Sequence, residues 1–184
     1  MKHNKILYIY GYGSNSKDSS TMKVVKDIVE KMGYELISVE YNQLDPCKGL
    51  AQLENTINQE EISYVIGHSL GGFFALCLDK VKQLVINPCM NPCIELPKID
   101  PNIPKETIAE YKKLYDWLNS GNETPWVYQL EDVMGLFGDH DELFSYYNSF
   151  KCAYPMSYYI NAGHRPTTKA FTDEITSKNR TFLS

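Results

Sequence analysis

A single serine lies between two glycines in the segment Gly67-His68-Ser69-Leu70-Gly71, directly after the β-forming residues Tyr64-Val65-Ile66. Glycine two positions before and two positions after a residue allows a turn so tight that its two flanking segments nearly touch. Such a turn holds the serine in a strained backbone conformation and projects its hydroxyl from the sheet. The segment therefore predicts a strand, a turn that carries a nucleophile and a helix, in that order.

This short pattern also arises by chance wherever a loop joins a strand to a helix, so the residues that follow it matter. Phe73, Phe74, Ala75, Leu76 and Leu78 continue as a helix that is apolar on nearly all sides, which is typical of a buried helix. The positive N-terminal end of that helix would favour negative charge developing at Ser69.

Apolar runs that are too continuous to be half-exposed alternate with amphipathic helical segments along the rest of the chain. Continuous apolar strands indicate a parallel sheet covered on both faces, and strand–helix alternation indicates right-handed crossovers. The sequence predicts an α/β fold, three-layer and doubly wound, with a mainly parallel sheet of about six strands, at residues 5–10, 35–41, 63–66, 83–87, 133–137 and 156–160.

The 184 residues are most simply one domain, 1–184, which is long enough for a sizeable core. The strand–helix alternation is interrupted at about 88–126, where five prolines are followed by a helical stretch at 106–118 and by Trp126. This insertion after the fourth strand is either a lid or cap over the active-site edge or a connector packed on the domain. The sequence leaves both interpretations open.

Composition limits the partners and the chemistry. The chain has 18 basic and 23 acidic residues, with the basic residues scattered, which argues against nucleic acid and anionic membranes as partners. No signal peptide or membrane-spanning run is apparent, so we expect a cytoplasmic protein with free thiols at its five cysteines. No histidine lies near Cys89 and Cys93 to complete a zinc site, so we expect no metal.

A serine hydroxyl needs a base to accept its proton, and the base needs an acid to orient it. Among the four histidines, His164 follows the last predicted strand in a loop that can reach the sheet edge, and it is the best candidate for the base. His3 lies at the terminus, and His140 reads as a loop residue. The tight turn should point His68 away from Ser69, so we expect it to pack or hydrogen-bond structurally.

His164 follows the sixth predicted strand, so the acid should come from the loop after the fifth strand, which is predicted at residues 133–137. Asp139, Asp141 and Glu142 all lie there, in the chain order serine, acid, histidine. Acidic residues at a helix start also serve as caps, so only one of the three needs to be catalytic. We favour Asp141, with Asp139 second.

A tetrahedral intermediate needs preorganised donors for its oxyanion. The main-chain N–H of Leu70 is one candidate, and that of Tyr12 is the other, because its glycine neighbours allow close approach. Gly11-Tyr12-Gly13 also resembles the start of a dinucleotide-binding fingerprint, but Ser16 occupies the place of its third glycine. We therefore expect no organic cofactor.

With these residues located, the chain resembles the α/β-hydrolase superfamily over nearly its whole length, and more narrowly the small bacterial YqiA-like esterases. The supporting stretches are Tyr8–Ser14, Ile66–Gly72, Ile86–Pro88, Phe137–Asp141 and Ala162–His164. Tyr10 departs from the family, which usually has histidine there. A Gly-x-x-Asp acid loop, as in many relatives, selects Asp141, whereas a Gly-Asp loop selects Asp139.

The resemblance implies hydrolysis of a carboxylic ester or thioester through an acyl-enzyme, with Ser69, His164 and Asp141 as the triad and a small-molecule acyl compound as substrate. Two alternatives stay open. One is a non-catalytic interaction protein on the same fold. The other is an acyltransferase that uses the same residues.

Overall fold

The computed structural model describes residues 4–120 and 130–178. Six parallel strands form one sheet in the order β2-β1-β3-β4-β5-β6. The strands are β1 (Asn4–Ile9), β2 (Tyr34–Ile37), β3 (Tyr64–His68), β4 (Lys82–Ile86), β5 (Val133–Gly138) and β6 (Ser157–Ile160).

Helices cover both faces of this sheet. They are α1 (Ser20–Lys31), α2 (Pro46–Glu60), α3 (Leu70–Leu76), α4 (Pro92–Ile99), α5 (Lys105–Asn119), α6 (Tyr147–Ala153) and α7 (Thr168–Lys178). The chain reverses its direction across the sheet after β2, which places α1 and α7 on one face and α2, α3, α5 and α6 on the other. The predicted three-layer α/β fold with six strands is confirmed.

The central strands are buried because both of their faces are covered. Every residue of β1 from Ile6 to Ile9 is at most 1% exposed, as its unbroken apolar sequence requires. Helix α3 is buried at all seven of its residues, in agreement with its apolar character on all sides. The strands β1, β3 and β4 therefore form a rigid centre, and the loops at their carboxyl ends carry the candidate site.

Three elements differ from the sequence prediction. β2 ends at Ile37, because Glu40 lies in a loop where it accepts a hydrogen bond from Tyr10. Helix α4 was not predicted, although Pro92 suits a first turn; Pro97 lies within it. The sequence also predicts a helix that follows Glu142 and ends at about Phe150, but α6 starts only at Tyr147, since the loop before it is shaped by the side chain of Asp141.

The insertion at 88–126 is described as far as residue 120. Helices α4 and α5 pack against each other, and α5 packs on α2. Two side chains of α5 bond to the loop before α2: Thr107 Oγ1 donates to the Leu44 carbonyl at 2.7 Å, and Tyr111 Oη donates to that of Gln43 at 2.8 Å. Opening as a lid stays a prediction, and Trp126 lies outside the described residues.

Within residues 4–120 and 130–178, none of the helices is long and apolar enough to cross a membrane. All five cysteines are free thiols, as expected.

Candidate active site

Ser69 forms the bend between β3 and α3, with a φ of 56° and a ψ of −122°. This positive φ is strained for any residue with a side chain. The bend requires glycine on both sides: a Cβ on Gly67 would overlap the Gly71 carbonyl, and a Cβ on Gly71 would overlap the carbonyl of Ile9. The predicted tight turn is therefore present, and it needs glycine at 67 and 71 because other segments of main chain pass in contact with these two positions.

The main chain of Ser69 is tied to the neighbouring segments. Its N–H donates to the Ile86 carbonyl at 3.0 Å, and its carbonyl accepts from the N–H groups of Gly72 and Cys89, both at 2.9 Å. These bonds hold the strained turn against the end of β4, so the position of the hydroxyl is set by the sheet.

His164 and Asp141 meet through buried side chains, which are 6% and 5% exposed. His164 Nδ1 lies 3.1 Å from Asp141 Oδ1 and 3.0 Å from Oδ2. Burial opposes ionisation of Asp141, but hydrogen bonds from His164 and from the N–H groups of Leu143 and Phe144 outweigh it and lower its pKa. The carboxylate is therefore suited to stabilise a charged imidazole.

The other two acids of this loop contact different groups. Asp139 Oδ1 accepts from the N–H of Ala162 at 3.2 Å and lies 2.7 Å from His140 Nδ1. Glu142 Oε2 accepts from the main-chain N–H of His164 at 2.9 Å, a bond that lowers the pKa of the Glu142 carboxyl. Asp141 is thus the acid that contacts the imidazole of His164.

A cavity of about 280 Å³ brings the candidate residues together. Ser69, His164 and Tyr12 line it, and Ile99 of α4 and Leu143 of the acid loop also face it. Most of the remaining lining is polar and comes from Ser14, the start of α1 and Arg165. The imidazole of His164 is hydrogen-bonded to Asp141 through Nδ1.

The loop after β1 passes directly against the serine. A Cβ on Gly11 would lie 2.9 Å from Ser69 Cβ and 3.3 Å from its Oγ, so glycine is what lets the loop approach. The loop is held from outside, since Tyr12 Oη donates to Asp100 Oδ2 at 2.7 Å. Leu70 begins α3, and the first N–H groups of a helix have no partner inside it. Tyr12 and Leu70 therefore both flank Ser69.

His68 also borders the cavity, and its ring makes a hydrogen bond to the base loop. Its Nε2 lies 2.9 Å from the His164 carbonyl oxygen. Burial lowers the pKa of His68 to about 3, with the nearby His164 as a second cause. The ring is therefore neutral near pH 7, so Nε2 carries the proton that it donates to this carbonyl.

Asn87, at the end of β4, was missed as a functional candidate. Its side chain is bonded to Gly138 and to the Gly163–His164 segment, and thus links the acid loop to the base loop. The available signal was its position after a strand that ends beside Ser69, with a polar side chain next to Pro88.

No group of three or more His, Cys, Asp or Glu side chains that could hold a metal ion occurs in the part of the chain that the structure describes.

A family model described as "Uncharacterised protein family (UPF0227)" matches residues 5–177, which is nearly the whole chain. The chain belongs to this family. A search of curated proteins finds no match.

Solved structures show the same fold at low sequence identity. Est1E from Butyrivibrio proteoclasticus is 17% identical, with a TM-score of 0.70 over 95% of this chain and 86% of its own. The fluorophosphonate-binding serine hydrolase FphF of Staphylococcus aureus is 12% identical, with a TM-score of 0.65 over 99% and 84%. The Pyrococcus furiosus esterase Pf2001 is 18% identical, with a TM-score of 0.59 over 98% and 82%. The UPF0227 chain therefore has the α/β-hydrolase fold.

Tyr10 is the departure from the resembled family, and the structure shows what it contacts. It is 1% exposed, and its hydroxyl donates to Glu40 Oε2 at 2.7 Å. Glu40 in turn accepts from the N–H of Ser16 at 2.8 Å. In this UPF0227 chain Tyr10 thus supports the loop beside Ser69 from behind.

Proposed function

We propose that this protein is a serine hydrolase that cleaves a carboxylic ester or thioester through an acyl-enzyme. Ser69 is the nucleophile, His164 the general base and then the general acid, and Asp141 the residue that orients His164. The observation that carries the proposal is the common cavity, which is lined both by Ser69 of the strained turn and by His164, whose imidazole is paired with the buried Asp141 side chain.

In the first half-reaction Ser69 Oγ bonds to the acyl carbon while its proton passes to His164 Nε2. The tetrahedral intermediate then collapses, the carbon–oxygen or carbon–sulfur bond of the substrate breaks, and the leaving group takes the proton from Nε2. In the second half-reaction water gives a proton to Nε2 as its oxygen bonds to the acyl carbon. The bond between the acyl carbon and Ser69 Oγ then breaks, Oγ takes the proton from Nε2, and the acid is released. Asp141 stays ionised throughout and stabilises the imidazolium.

The oxyanion is held by the main-chain N–H groups of Tyr12 and Leu70. Supporting this assignment are the close passage of Gly11 against Ser69 and the position of Leu70 at the first turn of α3. Loss of one such donor typically raises the barrier by about 3 kcal/mol.

Ser69 and His164 must come into hydrogen-bonding contact during the reaction. Catalytic hydrogen bonds are often long in unliganded sites and tighten in the substrate complex. The names of the structural neighbours, an esterase and a fluorophosphonate-binding serine hydrolase, agree with this chemistry. The substrate is a small molecule, since the cavity of about 280 Å³ lies just below the usual range of about 300–1,000 Å³ for ligand sites.

A fluorophosphonate probe tests the proposal directly. We expect covalent labelling of the wild type, no labelling of Ser69→Ala, and hydrolysis of p-nitrophenyl butyrate or a short acyl thioester by the wild type only. Ser149→Ala, on the outside of α6, serves as the control. Labelling that persists in Ser69→Ala would refute the nucleophile. Product analysis with added alcohols or amines would reveal acyl transfer, and no labelling of folded wild type would favour an interaction protein.

A further inference from the structure

We propose that Asn87 is a positioning residue for His164: its side-chain amide fixes the main chain that carries the base. This role presupposes the serine hydrolase chemistry proposed above, because a fixed base matters only if His164 is one. Asn87 is not among the residues that line the cavity, and its hydrogen bonds reach the main chain of the loop on which His164 lies.

The amide of Asn87 uses both of its ends. Its Oδ1 accepts from the N–H of Gly138 at 2.7 Å, where the acid loop begins. Its Nδ2 donates to the carbonyl of His164 at 2.8 Å and to that of Gly163 at 3.1 Å. Asn87 is 1% exposed, so water does not compete for these groups. One side chain therefore sets the spacing between the acid loop and the base loop.

The main chain of His164 is bonded to side chains. Its carbonyl accepts from Asn87 Nδ2 and from His68 Nε2, at 2.8 and 2.9 Å, and its N–H donates to Glu142 Oε2 at 2.9 Å. A carbonyl oxygen has two lone pairs, and both are taken here. Because ordinary loop residues bond to water or backbone, this arrangement indicates that the placement of His164 itself is specified.

The backbone of Asn87 supports the same interpretation. Its φ is 44°, in the left-handed region that only glycine, asparagine and aspartate enter at low cost. Asparagine is the one of these three that can donate to two carbonyls while it accepts from an N–H group. Aspartate would fit the backbone and keep the bond from Gly138, but it would turn an oxygen toward the carbonyls of Gly163 and His164.

This difference makes Asn87→Asp the selective test. The acid-loop contact stays and the base-loop contact is lost, so the imidazole shifts relative to Ser69. A displacement of about 1 Å typically costs about 10²-fold in rate. We expect kcat for p-nitrophenyl butyrate and the maximal rate of fluorophosphonate labelling to fall by about 30- to 100-fold, with KM within about threefold.

Asn161→Asp is the matched control. It makes the same chemical change near the start of the same loop, but its exposed side chain contacts His140. We expect its kcat to stay within about threefold of wild type. Labelling rates measured across pH separate the two possible effects of a new carboxylate. Charge alone would move the midpoint of the profile and leave its plateau, whereas displacement of the base lowers the plateau.

A signal that does not require turnover separates this role from the proposed function. The Nδ1 proton of His164, shared with Asp141, should appear in the NMR spectrum of the wild type and of Asn161→Asp, and it should shift or broaden in Asn87→Asp. If the wild type is inactive but this pattern holds, the hydrolase proposal fails and the positioning of His164 stands.

Two outcomes would overturn the positioning role. One is an Asn87→Asp protein whose plateau rate and Nδ1 signal match those of the wild type. The other is a lower rate that only reflects a lower folded fraction in thermal unfolding. If Asn87→Asp does not fold, Asn87→Gly, which suits the positive φ, takes its place, and the same loss per folded molecule is required.

Discussion

Asp141 and His164 share a two-oxygen contact that Asp139, two residues earlier, does not make. Nδ1 of His164 lies 3.1 and 3.0 Å from the Asp141 oxygens, while Asp139 accepts from the N–H of Ala162. Asp141→Asn should therefore lower kcat by about 10³- to 10⁴-fold, because the amide neither fixes the reactive tautomer nor stabilises the imidazolium. Steady-state kinetics with p-nitrophenyl butyrate measures this.

Asp139→Asn is the paired variant. Asparagine keeps the oxygen that accepts from Ala162, so kcat should stay within about tenfold, a barrier change of about 1.4 kcal/mol. The reverse ranking of the two variants would transfer the orienting role to Asp139.

The backbone strain at Ser69 predicts that Ser69→Gly is more stable than Ser69→Ala, the reverse of the order expected within a helix. At a φ of 56°, alanine keeps a backbone strain of order 1–3 kcal/mol, which glycine relieves at an entropic cost of about 0.5–1 kcal/mol. Ser69→Gly should therefore be more stable than Ser69→Ala by about 1 kcal/mol, or about 2–4 °C in Tm.

Ser149, an exposed residue of α6, gives the opposite expectation, since glycine is less favourable than alanine in a helix by about 1 kcal/mol. Thermal unfolding of the four variants measures both differences. Equal rankings at the two positions would mean that the turn stores no strain.

His68 predicts a pH dependence of stability. Burial lowers its folded-state pKa to about 3 from an ordinary 6.5, and the ionisable groups around it are His164, Arg165 and Asp141. Between these values the unfolded chain binds a proton that the folded chain does not, so stability falls as pH drops below 6.5. From pH 6 to pH 5 the wild type should lose about 1 kcal/mol more free energy of unfolding than His68→Gln.

Urea unfolding at the two pH values measures this difference. His140→Gln is the control, because the side chain of His140 is 61% exposed. Parallel losses in wild type and His68→Gln would show that His68 accepts protons equally in both states.

The hydroxyl of Tyr12 predicts a stability effect that is separate from the oxyanion role of its N–H. Tyr12→Phe removes the bond to Asp100 but keeps the main-chain donor. We expect a loss of about 1 kcal/mol in unfolding free energy and less than about a tenfold loss in kcat. A double-mutant cycle with Asp100→Ala, which removes the acceptor, measures the coupling, and additive effects would mean that the two side chains act independently.

The sequence predicted the parts of this fold that depend on local pattern. The unbroken apolar residues of β1 predict a strand covered on both faces, and the structure buries them. The glycines around Ser69 predict a tight turn, because only glycine lets these segments pass so close to other backbone. Helix α4 was not predicted, because a proline such as Pro97 normally interrupts a helix. In the structure α4 continues past Pro97 and packs against α5, a contact that no local sequence pattern indicates.

The contacts of the site depend on residues far apart in the chain. Asn87 and His164 are 77 positions apart, and no local pattern indicates their bond. The choice among the three acids was likewise open, because it depends on how the loop after β5 turns. There the side chain of Asp141 accepts hydrogen bonds from the N–H groups of Leu143 and Phe144, and it also contacts the imidazole of His164.

The bond from His68 to the His164 carbonyl joins the base loop to the residue that precedes Ser69. A rigid shift of the turn at Ser69 would therefore carry His164 with it and preserve their relative geometry. The outer parts of the cavity, Ile99 of α4 and the start of α1, do not take part in this linkage. Substitutions there can reshape what the cavity admits without realigning the two groups, so selectivity and reactivity can diverge independently among relatives of this chain.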